Sequence, residues 1–212
     1  MILMNKTILI SILIGIIVVF SLVYFNYESK PVDISVISDI DFIYSDVDKI
    51  QKILDTQQIF MSSPTTITDH TVDQYCMFFD SENVQRFVQS CITTALVDSD
   101  GQPLGNFNMG GNPITPIMAL AIIEVSSLDS NQDDVAFVFE TMIDTLVCDC
   151  WEDQKPGGFE SISSWLDAAK QQYGESDQNT LKSKINGLAQ KQLILEITAT
   201  EKSYIWTLIV IK

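Results

Sequence analysis

The chain has 212 residues and is strongly acidic, with 28 Asp and Glu against 12 Lys and Arg, a net charge of −16 and one His. A surface of that sign repels nucleic acid and anionic lipid headgroups, and it attracts cations or basic protein patches. The sequence contains no Gly-x-Ser-x-Gly, phosphate-binding glycine loop, His-Glu-x-x-His or dinucleotide fingerprint, so the expectation is a non-enzymatic protein with no organic cofactor.

Residues 7–27 carry no charge and are mostly Ile, Leu, Val and Phe. About 20 apolar residues cross a bilayer as a helix. The run exits through Phe20 to Tyr27, which are bulky at nearly every position and offer no small-residue cleavage site. The prediction is one uncleaved transmembrane signal anchor at 7–27. Lys6 and the terminal amine place residues 1–6 in the cytoplasm, and residues 28–212 then form a single extracytoplasmic domain at the cell membrane.

In chain order, residues 32–44 alternate and predict an early strand. Ser45 and Asp48 read as a capping box opening a helix with Val47, Ile50, Ile53 and Leu54 inward. A second helix carries Val72, Tyr75, Cys76 and Phe79 at helical spacing, and a third ends near Cys91. The turn formers Asp98-Ser99-Asp100-Gly101 then predict a hairpin near 92–109.

Two apolar helices are expected at 115–128 and 134–147, joined by a polar loop. An amphipathic helix follows with Ile162, Trp165, Leu166 and Ala169 inward. A short helix at 179–188 precedes a hairpin near 192–211. The predicted class is α+β, an antiparallel sheet of hairpins flanked by several helices.

Charge divides the chain, because positions 33–153 carry 21 acidic residues against Lys49, Lys52 and Arg86, whereas 154–212 carry 6 against 7 basic ones. Cys76, Cys91, Cys148 and Cys150 predict two disulfides and an oxidising compartment. Direct bridging of Cys148 to Cys150 closes a small strained ring. The open pairings therefore tie Cys76 and Cys91 to that pair, or join them to each other beside a labile Cys148-Asp149-Cys150. A thiol redox couple there lacks a cation, since Asp149, Glu152 and Asp153 surround it.

The loop opening with Asp129, Asn131 and Asp133, followed by Glu140, resembles an EF-hand calcium loop over about 12 residues. That resemblance implies calcium held by these four side chains. Asp134 stands where the EF-hand turn has Gly. The lone His70, beside Asp69, reads as a solvated or capping residue. Trp165 and Trp206 are in phase with apolar neighbours, which leaves Trp151 as the expected exposed contact with a partner.

These features predict an interaction module for a protein partner, an accessory subunit of an envelope complex that uses its acidic half. Ala95-Leu96-Val97-Asp98-Ser99-Asp100-Gly101 also looks like a strand-turn element of extracytoplasmic PAS-like sensor domains. That resemblance implies a small-ligand pocket beside the sheet and signalling through another chain.

Overall fold

The structure is a computed structural model and describes residues 41–68, 70–78 and 85–212. The expected membrane helix at 7–27, the residues before it and most of the early strand at 32–44 lie outside these. Helix α1 is Asp46–Leu54, followed by two short strands, β1 (Phe60–Met61) and β2 (Thr65–Ile67), and a single helical turn, α2 (Val72–Tyr75). A meander comes next: β3 (Ser90–Val97), β4 (Pro103–Gly111) and β5 (Pro116–Val125). Three helices then intervene, α3 (Gln132–Leu146), α4 (Trp151–Gln154) and α5 (Ile162–Gly174). A second meander closes the chain: β6 (Thr180–Leu188), β7 (Lys191–Ala199) and β8 (Tyr204–Ile211).

All the strands among the described residues belong to one antiparallel sheet of order β1-β3-β4-β5-β8-β7-β6, with β2 also on β3. The meanders join where β5 pairs with β8, in the register Ala119 to Val210, Ala121 to Leu208 and Ile123 to Trp206. The β3–β4 turn is held by Asp98, whose Oδ1 accepts the amides of Asp100 (2.9 Å) and Gln102 (2.8 Å). Gly101 takes the left-handed conformation there (φ 74°), which a side chain disfavours.

Alternation along the strands sends Phe107, Met109, Ala121, Ile123, Leu195, Ile197, Trp206 and Leu208 to one face, where all are buried in the main core. Helices α1, α3 and α5 cover that face, α1 packed on α3 and α3 on α5. The opposite face is covered at one end by a small second core of Val72, Cys76, Val88 and Cys91, with Phe78 against it. Gly110 makes this close approach possible, because a Cβ there would sit 2.7 Å from Phe78 Cε2 and 3.2 Å from Val88 Cγ1.

The expected architecture is corrected. The described residues form a sheet-rich domain with eight antiparallel strands, and no helix among them is long and apolar enough to cross a membrane. The segment 115–128, expected as a helix, is the central strand β5. Its two faces are both apolar over residues 118–123, Ala119, Ala121 and Ile123 on one and Met118, Leu120 and Ile122 on the other, so the period of two is unmarked until Glu124 near the strand end.

The segment 179–188, also expected as a helix, is β6. Its inward positions are Leu181, Ser183 and Ile185, and Leu188 returns inward after an irregularity at Gly187. A serine in the middle leaves apolar residues at spacings of four and three, which imitates a helix face. Ser183 is there for a reason: its Oγ accepts the indole N–H of buried Trp165 at 2.8 Å.

Two smaller corrections concern helix ends. Ser45 makes no side-chain cap on α1; instead Asp46 Oδ2 accepts the Ile43 amide at 2.8 Å and Oδ1 pairs with Lys49 at 2.7 Å. Cys91 lies inside β3 rather than at a helix end, where it pairs with Gly110.

Candidate functional site: an acidic cleft beside Cys148 and Cys150

Three consecutive pieces of chain converge on one cleft of about 300 Å³. Helix α3 presents Glu140 and Asp144, which are four residues apart and therefore on one side of the helix. The chain leaves α3 through Cys148, Asp149 and Cys150, and turns into α4 with Trp151, Glu152 and Asp153. Ser161 and Ile162 at the start of α5 complete the lining.

Local chemistry fixes each wall. Ser161 Oγ accepts the Ser164 amide and Ser164 Oγ accepts the Ser161 amide, both at 3.0 Å, a reciprocal cap that starts α5 at this point. The Ser163 hydroxyl donates to Glu140 Oε1 at 3.0 Å and so ties α5 to α3. Gln154 Nε2 lies 3.2 Å from Cys150 Sγ.

Trp151 is 4 % exposed, which corrects the expectation of an exposed contact. Its ring stacks on Trp165 with centroids 5.7 Å apart, and its indole N–H donates to the Phe159 carbonyl at 3.2 Å. With its one polar atom satisfied internally, the indole can be buried without stranding a donor. Trp151 supports the cleft from beneath.

Among the described residues the lining holds five carboxylates, from Glu140, Asp144, Asp149, Glu152 and Asp153, and no Lys, Arg or His. Asp144 carries the electrostatic consequence. Partial desolvation, then the neighbouring Asp149 and Glu140 charges, push its carboxyl up to about 6. The side chain still reaches solvent, so the cleft is an open negative well that an arriving ammonium or guanidinium would neutralise.

The four cysteines resolve into Cys76–Cys91 and Cys148–Cys150, with Cα atoms 6.1 Å and 5.2 Å apart. The first ties the α2 region to β3. The second stands at the edge of the cleft.

The calcium-loop residues are spread out. The element before the loop is strand β5, so the helix-loop-helix frame of an EF-hand is missing. Asp129 pairs with Lys170 at 3.3 Å, and Asn131 occupies the N-cap position of α3 in a left-handed conformation (φ 53°). Asp133 lies in the first turn of α3, where a carboxylate complements the helix dipole. Glu140 is two turns further on, in the acidic cleft. Among the described residues no three of His, Cys, Asp or Glu are grouped as metal ligands. His70 is exposed on the turn before α2.

Sequence reasoning singled out Glu140 and Trp151 for other roles and missed Asp144 and Ser163. The spacing of Glu140 and Asp144 on a helix face was a readable signal. Their convergence with Asp149, Glu152 and Asp153 depends on how the chain turns after Val147, which no local pattern announces. Comparison with protein-family models, with curated proteins and with solved structures finds nothing that matches this chain.

Proposed function

We propose that the domain is a non-enzymatic binding module of an oxidising, extracytoplasmic compartment, and that its acidic cleft receives a Lys- or Arg-bearing segment of a protein partner. The observation that carries the reading is the unbalanced charge around Asp144: partial burial, and then the neighbouring Asp149 and Glu140 charges, push its carboxyl up to about 6. A basic side chain entering the cleft relieves that repulsion. Asp144 is then fully ionised, and binding is coupled to proton release.

The oxidising compartment is argued from Cys76–Cys91 and Cys148–Cys150, which between them use every cysteine.

Calorimetric titration with a hexa-arginine peptide tests the reading. Binding is expected at low salt, weakening as salt is raised. The triple variant Glu140→Gln, Asp144→Asn, Asp149→Asn is expected to lose at least about tenfold in affinity. Equal affinity of the folded triple variant would remove the cleft from the account.

A further inference from the structure

Among the described residues, the sheet face away from the helices is only partly covered. Beyond Phe78 it opens into a groove of about 390 Å³, within the roughly 300–1,000 Å³ typical of small-molecule sites. An antiparallel sheet that shows one face to water normally carries polar residues there. Here the pairing register sets Leu120, Ile209 and Ile194 side by side across β5, β8 and β7, and the same line ends on β6 at Lys184. The apolar run is flanked by Ile122 and Ile211, which also line the groove.

The charges at the rim are unequal. Lys182 is paired with Glu196 at 2.9 Å. Lys184 lines the same groove, is exposed, and enters no ion pair among the described residues. In a chain of net charge −16, one free ammonium at the end of an apolar line is a local exception. A flat or purely hydrophobic contact would have no use for that arrangement. It matches a ligand with a long apolar body and a single negative head.

We infer that this groove binds a free long-chain carboxylate, its alkyl chain laid across Leu120, Ile209 and Ile194 and its head on Lys184. The single charge fits because, among the described residues lining the groove, Lys184 is the one cation without an acidic partner. The alkyl chain gains the hydrophobic term from Ile122, Ile194, Ile209 and Ile211, which are partly exposed, while Leu120 forms the buried floor. The site is separate from the acidic cleft, which would repel the same ligand.

The test uses the whole chain with methyl-labelled isoleucine and sodium dodecanoate below its micelle concentration. The Ile122, Ile194, Ile209 and Ile211 methyl resonances are expected to shift saturably while those of Ile143 and Ile162, in the helix layer, stay in place. Lys184→Gln, a change at an exposed position, is expected to weaken binding by about tenfold. Ile194→Ser, at a partly exposed position, should weaken it as well. Several outcomes would overturn the assignment. These are unmoved methyls, unchanged affinity in Lys184→Gln, shifts that follow protein concentration alone because a second copy covers the face, or a response to an acidic amphipathic peptide with none to dodecanoate.

Discussion

Asp41 Oδ1 lies 2.8 Å from Lys191 Nζ, a pair that joins residues 150 positions apart. Lys191 is 5 % exposed, and an ammonium that far from water is tolerated only beside its counter-charge. Lys212 reaches the same neighbourhood. Its ammonium donates to the Phe42 carbonyl at 2.8 Å and stands over the Phe42 ring at 4.5 Å. Desolvation lowers the Lys212 pKa, and Asp41 partly offsets that.

Asp41→Asn is therefore expected to destabilise the fold by about 2 kcal/mol, below the full value for a buried pair because Asp41 is itself partly exposed. Lys191→Met, which removes charge and donor together, is expected to change stability by less than about 1 kcal/mol. Urea unfolding of the two variants gives the comparison. Equal effects would mean that the pair carries no special weight.

Ser183 and Trp165 make a second such contact. With the 2.8 Å bond gone, the indole N–H of fully buried Trp165 has no acceptor. Ser183→Val suits strand propensity better, yet it is expected to lower stability by about 1–3 kcal/mol, because a stranded donor outweighs the gain in β preference. A rise in melting temperature would refute this.

The same serine explains what the sequence concealed. The hairpin of β7 and β8 was legible because Leu193, Leu195 and Ile197 alternate with Gln192, Glu196 and Thr198, with Ile194 the one apolar residue out of phase. In β6 the alternation is broken by Ser183, and in β5 it is erased because Ile122 and Leu120 are as apolar as Ile123 and Ala121. Helices α3 and α5 were readable from their inward stripes. The cleft was not, since its carboxylates lie on a helix, a linker and a second helix, and they converge through long-range contacts, the packing of Trp151 on Trp165 and the hydrogen bond from Ser163 to Glu140.

The two disulfides are expected to differ in weight. Cys76–Cys91 closes a loop with a sequence separation of 15, for which the chain-entropy account gives about 3 kcal/mol. Cys148–Cys150 spans a separation of 2 and constrains the unfolded chain far less. The double variant Cys76→Ser, Cys91→Ser should lose about 3 kcal/mol in denaturant unfolding. The variant Cys148→Ser, Cys150→Ser should lose less than about 1 kcal/mol. A reversed order would show that the C-x-C bridge shapes the cleft and the core beneath it.

Asp144 sets the pH dependence. Its folded-state pKa is raised to about 6, whereas in the unfolded chain an aspartate titrates near 3.9. Between those values the folded state holds more protons than the unfolded one, so stability falls as pH rises through that window. Below it both states are protonated and the effect of Asp144 vanishes. Above it the carboxylate is a fixed liability, held next to Asp149 and Glu140. Asp144→Asn is consequently expected to melt at a higher temperature than the native chain at pH 7–8, with the difference closing on acidification towards pH 4. A basic peptide in the cleft should show the complementary trend, since it binds the ionised form: affinity should rise from pH 5 to pH 7 in the native chain and change much less in Asp144→Asn. A melting difference that is constant across pH, or that grows on acidification, would show that Asp144 is not the group being titrated.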